Sequence, residues 1–362
     1  MGFVKTTFLR LALRTTALAL LASTIPLAMP NALAQGADAG QSPDTGPPRT
    51  PTPPPSVVAP DPAPQSATPQ DQQQSIVPES TADDSGRFVF KKQVQEVVLH
   101  ATVVDDTGRL VTGLDKSAFS IYVNGVPEPI TSFRREDIPV AIGIVIDNSG
   151  SMRGKREQVS QAVLNLIRAS NPQDEVFVVN FGKTPYLDQD FTSDVNLLQT
   201  ALHQTSTRGS TALYDAVVAS AVHLQNNPRL SKKVLLVITD GQDNMSRETL
   251  QEAIRKLQPY KGATVYAIGL TDEGLTRSGR DDLQSLASST GGVAFFPQSL
   301  DDVNSITRSV AHDIRSQYTL AFKPGNAPQK GYQAIKVDAK GPNRTRLTVR
   351  TRTGYYPGEA VR

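Results

Sequence analysis

The sequence contains no cysteine, which excludes disulfides, thiolate metal sites, cysteine nucleophiles and a lipid-modified cysteine together. Stability must come from packing or from bound metal. Histidine is scarce: His100, His203, His223 and His312 are scattered, and no pair has the H-E-x-x-H spacing that sets two imidazoles on one helix face. There is no G-x-S-x-G elbow, so a serine hydrolase of that kind is not expected. Charge is modest too. A formal net charge of +2 with 20% charged residues lacks the strong basic field of a nucleic-acid binder, and no nucleic-acid partner is expected. Beyond the N-terminus no apolar run approaches the roughly 20 residues that a membrane-spanning helix needs.

What is present divides the chain into unlike parts. Residues 1–34 have the grammar of a secretory signal: Lys5, Arg10 and Arg14 form a basic start, Thr15 to Met29 is largely apolar, and Ala32-Leu33-Ala34 offers a small-residue cleavage pattern. An uncleaved anchor is the alternative, although Pro26 and Pro30 interrupt the apolar stretch. The expected product is exported, periplasmic or secreted, with no transmembrane segment after cleavage. Residues 35–86 are dominated by Pro, Gln, Ser, Thr and Ala. Such a stretch buries too little apolar surface to offset its ordering entropy, and it is expected to be a disordered tether.

Residues 87–138 and 318–357 alternate with period two, as in Val94 to Val104, Phe119 to Val123, Tyr318 to Phe322, Tyr332 to Ala339 and Arg344 to Thr353. Neither piece has enough strands for a core of its own. The expectation is one small β-sandwich built from both. Between them, residues 139–317 change pattern: unbroken apolar runs at Val140 to Ile146, Glu175 to Phe181, Lys233 to Thr239 and Thr264 to Leu270 alternate with helix-period stretches. Apolar runs of this kind are strands covered on both faces. Their alternation with helices predicts an α/β fold with a doubly wound, mainly parallel sheet.

Ligands of open α/β sheets bind beyond the carboxyl ends of the strands. At that edge the first strand runs into Asp147-Asn148-Ser149-Gly150-Ser151, a later one into Asp240-Gly241, and Thr211 sits in the loop before a helix. Two carboxylates and three hydroxyls are an oxygen-only donor set of the kind that hard cations take. Asp147, Ser149, Ser151, Thr211 and Asp240 are therefore the candidate metal ligands, with Mg²⁺ the expected ion and Mn²⁺ or Ca²⁺ as alternatives. Only two of the five are charged, which leaves the ion electrophilic toward an acidic oxygen from outside. Asp243 and Asp215 are either electrostatic modifiers or solvated carboxylates. Arg153 and Arg208 are either steering charges or solvated ones.

The segments Asp147-Asn148-Ser149-Gly150-Ser151-Met152, Gly209-Ser210-Thr211-Ala212-Leu213 and Ile238-Thr239-Asp240-Gly241 resemble, without a substitution, the three parts of the metal-ion-dependent adhesion site (MIDAS) of von Willebrand factor type A domains. By that resemblance Ser149, Ser151 and Thr211 are direct or switchable ligands, and Asp147 and Asp240 act directly or through water. The flanks, including Val111-Thr112-Gly113-Leu114-Asp115, Pro129-Ile130-Thr131-Ser132-Phe133 and Arg352-Thr353-Gly354-Tyr355-Tyr356-Pro357, resemble a bacterial group of exported proteins related to that family.

The resemblance implies a non-enzymatic interaction or adhesion module whose partner is a protein offering an Asp or Glu carboxylate. Two alternatives stand beside it, a metal-dependent hydrolase and an assembly factor for an envelope complex. The hydrolase is disfavoured because the three loops contain no histidine, lysine or spare glutamate to act as a base. One further feature is basic: Arg344, Arg346, Arg350 and Arg352 share a strand parity, which makes either a stripe for an anionic envelope polymer or a solvated face.

Overall fold

The computed structural model describes residues 96–135, 137–203, 209–227, 229–270, 275–325, 330–341 and 347–357. The expected signal (1–34) and tether (35–86), the start of the first β segment (87–95), and Arg208, Arg344 and Arg346 lie outside the described residues.

The central layer is a six-stranded sheet. In chain order its strands are β5 (Val140–Asp147), β6 (Glu175–Phe181), β7 (Pro185–Thr192), β8 (Lys232–Thr239), β9 (Thr264–Gly269) and β10 (Ala294–Phe295), arranged in space as β10-β9-β8-β5-β6-β7. All neighbours are parallel except β7, which returns antiparallel on β6 with a shifted register. The apolar runs explain the layering. In β5, Val140, Ile142, Ile144 and Ile146 face one core with α1 (Arg156–Arg168), α2 (Val195–His203) and α6 (Asp301–Arg315). Ala141 and Val145 face the other, with α3 (Leu213–Asn226), α4 (Leu250–Leu257) and α5 (Arg277–Thr290). Alternate side chains point to opposite faces, so a strand buried on both sides has no polar position to spare. Gly143 lies between them because a Cβ there would come within 2.3 Å of Phe177.

The flanking segments supply two antiparallel four-stranded sheets. One contains β1 (Val97–Val104), β4 (Ile130–Arg134), β11 (Tyr318–Phe322) and β13 (Thr348–Arg350) in the order β13-β1-β11-β4. The other contains β2 (Phe119–Val123), β3 (Val126–Glu128), β12 (Gln333–Ala339) and β14 (Gly354–Tyr355) in the order β14-β12-β2-β3. Each sheet thus mixes strands from before and after the α/β unit. Their inner faces close one core on Val97, Leu99, Phe119, Ile121, Tyr318, Leu320, Val337 and Tyr355. The α/β fold with a small sandwich from the flanks is therefore the observed architecture.

Buried polar groups join the sandwich to the α/β unit. Tyr266 donates to Asp313 at 2.9 Å, Arg350 donates to both Asp313 oxygens at 3.1 Å, and Gln317 bridges Tyr266 and Thr102. Arg352, 8% exposed, donates to the carbonyls of Val98, Tyr260 and Pro259. Gly291, the left-handed cap of α5 at φ 90°, lets the Thr351 backbone approach closer than any Cβ would allow.

Of the four arginines expected to share one face, Arg344 and Arg346 lie outside the described residues. Arg350 and Arg352 are engaged with the body of the molecule, because each finds an acceptor inside, a carboxylate for one and three carbonyls for the other.

Candidate metal centre

The site edge follows from strand pairing. Strands β5 and β8 are adjacent and in parallel register, with Ile146 beside Ile238, so their carboxyl ends deliver Asp147 and Asp240 side by side. Both residues have 0% relative exposure. Buried carboxylates require partners, and local donors meet part of that demand. Asp147 accepts from the Ser149 N–H at 2.7 Å and from the Thr239 hydroxyl at 2.6 Å.

After Asp147 the chain makes a 3₁₀ turn over Gly150–Gly154 with Ser149 as its N-cap. The Ser149 and Ser151 hydroxyl oxygens are 3.1 Å apart, and the Ser151 hydroxyl donates to Asp240 Oδ1 at 2.7 Å. Ser151 is exposed while Ser149 is buried, so the cluster opens to solvent on the Ser151 side. The third element is the loop before α3. A Cβ on Gly241 would lie 3.3 Å from Thr211 Oγ1 and 3.9 Å from Asp147 Oδ2, which sets the Thr211 hydroxyl and the Asp147 carboxylate around the same glycine. All five expected residues are thus brought to one edge.

Residues outside the five hold the loops together. Asn244 accepts from the Thr211 N–H at 3.0 Å and donates its own N–H to the Thr211 carbonyl at 3.0 Å. Asp243 accepts from the Leu213 N–H at 2.7 Å and from the Ser246 hydroxyl at 2.5 Å, and Asp215 accepts from the Arg247 and Glu248 N–H groups at 3.0 Å. Asp243 and Asp215 are therefore loop clamps that satisfy backbone donors near a helix start. This backbone role differs from both expectations, an electrostatic modifier or a solvated carboxylate.

Two cations complete the surroundings. Lys155 Nζ sits 2.5 Å from Asp240 Oδ2, with its side chain 12% exposed. Lys155 lies just beyond the Asp147–Ser151 loop, outside the three motif segments. Arg156, next in the chain, is buried; among the described residues its Nε and Nη1 have no hydrogen-bond partner, and Nη2 reaches the Leu202 carbonyl at 3.4 Å. Burial pulls the guanidinium down to about 10 against the attraction of Asp188 and Asp147. Burial pushes the Asp147 carboxyl up, bonds from Thr239 and Ser149 oppose this, and the Asp240 charge raises it further.

The histidines stay away from this edge. His100 contacts Thr319, His203 pairs with Glu157 and His223 with Asp190, while His312 is exposed on α6. Among the described residues no group of three or more His, Cys, Asp or Glu side chains is arranged to hold a metal. Any cation here would rely on two carboxylates plus hydroxyls.

Comparison with known proteins agrees with this architecture. Residues 142–242 match the family model of the von Willebrand factor type A domain. No curated protein matches the chain. Among solved structures, the chain is similar to a von Willebrand factor type A protein from Catenulispora acidiphila (16% identity, 75% of this chain and 76% of that one, TM-score 0.44). It is also similar to proximal thread matrix protein 1 from the mussel byssus, solved with zinc in its MIDAS motif (20% identity, 53% and 49%, TM-score 0.43). A third is the conserved hypothetical protein BatB from Bacteroides thetaiotaomicron (20% identity, 48% and 97%, TM-score 0.40). This chain spans about half the length of the byssus protein. The matched residues run from the third position of β5 to the loop just past Asp240, and over that span the chain carries a von Willebrand factor type A domain.

Proposed function

We propose that this protein is an exported, non-enzymatic interaction module that binds an acidic group of a partner protein through one divalent cation, Mg²⁺ in the first instance. Asp147, Ser149, Ser151, Thr211 and Asp240 would hold the ion, with Mn²⁺ or Ca²⁺ as substitutes. One observation carries the reading: two fully buried carboxylates from adjacent strand ends converge with neutral hydroxyls on an edge open at Ser151.

The donor set fits a hard cation in two ways. Its oxygens are of the right chemical kind, and Asp240 already has a positive group, the Lys155 ammonium, on one oxygen. When bound, the ion supplies an electrophilic coordination position for a carboxylate oxygen. The chain's own residues do the rest. Thr239 and the Ser149 N–H fix the Asp147 carboxylate, Asn244 and Asp243 fix the Thr211 loop, and Ser151 lies at the mouth.

The test is capture of partners from an envelope extract by the wild type and by Asp147→Ala, each with Mg²⁺ and with chelator. Metal-dependent partners should appear with the wild type in Mg²⁺ alone. Identical capture in all four samples would reject the reading. Export remains part of the proposal, resting on the N-terminal sequence; in the described residues no helix is long and apolar enough to cross a membrane.

A further inference from the structure

Lys155 occupies a position whose consequence reaches beyond the metal reading, although it rests on that reading. The residue sits between the 3₁₀ turn that carries Ser151 and the first residue of α1. Its backbone is fixed at both sides, since its N–H donates to the Met152 carbonyl at 2.9 Å and its carbonyl accepts from Val159 at 3.1 Å. The same short turn that presents Ser149 and Ser151 therefore presents an ammonium to Asp240.

The two Asp240 oxygens are taken by different groups. Oδ1 accepts the Ser151 hydroxyl, and Oδ2 meets Lys155 Nζ at 2.5 Å. Arg156 adds a second positive charge, attracted by Asp147 and Asp188. Lys155 thus puts one positive charge directly on Asp240, while Arg156 divides its charge between Asp188 and Asp147. A dication cannot share Asp240 with that ammonium at little cost, because its repulsion of a unit positive charge a few ångströms away is twice that between two unit charges. Lysine can yield: its charge is a point on a flexible four-carbon stem with rotatable donors, and its side chain is not fully enclosed.

We propose that Lys155 is a tethered counter-cation that neutralises Asp240 in the metal-free protein and competes with the divalent ion, so that loading the site is an exchange in which the ammonium leaves Asp240. The exchange lowers metal affinity and keeps the empty edge from carrying two uncompensated buried carboxylates.

The test is calorimetric titration of the full chain with Mg²⁺ and with Mn²⁺, comparing wild type, Lys155→Met and Lys155→Gln. Both variants should bind about tenfold tighter or more than the wild type. Their thermal midpoints should lie below the wild type's in chelator and rise further on adding Mg²⁺. A second measurement needs no variant: acetylation of Lys155, followed by mass spectrometry in wild-type protein, should be slow in chelator and several-fold faster in saturating Mg²⁺. Equal or weaker binding by both variants, or labelling unchanged by an ion that calorimetry shows to bind, overturns the exchange and leaves the metal site standing. Absence of Mg²⁺ and Mn²⁺ binding in all three proteins rejects the metal site itself, and the exchange with it.

Discussion

The two ends of strand β5 each hold buried carboxylates, and they are finished differently. At the amino end, Asp174 accepts from the Val140 N–H at 2.9 Å and the Asn171 N–H at 3.1 Å and pairs with Arg315, which also grips Asp137 with both oxygens at 2.8 and 2.9 Å. Every partner is a backbone group or a side chain at the close of α6. At the carboxyl end, Asp147 and Asp240 are met by hydroxyls, one N–H and a single flexible ammonium. The first arrangement is closed by two backbone N–H groups and a guanidinium shared between two carboxylates. The second relies mainly on side-chain hydroxyls and a lysine ammonium, as the proposed binding role requires.

The largest expected effect comes from breaking the closed end. Asp174→Ala strips Val140 and Asn171 of their acceptor and leaves Arg315 with one partner, and should cost about 3 kcal/mol in urea unfolding, as for one partner removed from a buried pair. The loss should be the same in Mg²⁺ and in chelator. At the open end the dependence should reverse: Mg²⁺ at a hundred times its dissociation constant stabilises the wild type by about 2.7 kcal/mol, and Asp147→Ala should lose that increment entirely. A metal-sensitive Asp174→Ala or a metal-insensitive wild type would erase the contrast between the ends.

A smaller effect is expected with pH. Burial, with Lys232 and Arg352 nearby, pulls His100 from 6.5 to about 3. The unfolded chain therefore binds the proton more readily, so the stability from a neutral His100 is full above pH 6.5 and is lost as pH falls toward 3. Between pH 6.5 and 4.5 the wild type should lose about 1–2 kcal/mol through this group, after discounting its partial exposure. His100→Gln should flatten that slope when unfolding is followed across the range. The smallest effect is a control remote from both ends: Thr249 and Glu252 form a complete capping box on α4, so Thr249→Ala should cost about 1 kcal/mol with no response to Mg²⁺.

The doubly covered strands were legible because their apolar runs leave no alternative environment, and the meeting of the five candidate residues at one edge because strand ends and turn chemistry share one grammar. Strand β7 was not. It opens with Pro185, carries Asp188 and Asp190 and leaves Tyr186 and Leu187 exposed, as an edge strand of uneven register does, so it has no apolar run to announce it. The directions of Arg350 and Arg352 were hidden because parity fixes a face and says nothing about what the rest of the fold lays against it. Lys155 was missed for a related reason: it follows the recognisable Asp-x-Ser-x-Ser, and only the 3₁₀ turn brings it back to Asp240. The starts of α4 and α5 are set by the side-chain caps of Thr249 and Thr276.

The insertion of the α/β unit within the sandwich also sets an order of events. Val98 and Arg352, bonded in the finished protein, are 254 residues apart, and β1 pairs on both sides with strands that follow the α/β unit. A chain made or exported from its amino end therefore presents β1 to β4 long before β11 to β14 exist to cover them. Folding of the α/β unit shortens the wait, because the Asp137–Arg315–Asp174 clasp ties the start of β5 to the end of α6 and brings β4 and β11 to the same place. A closure entropy spread over the whole insert becomes that of a short gap. Loosening the clasp should therefore slow completion of the sandwich in refolding and lengthen the exposure of its first strands to aggregation.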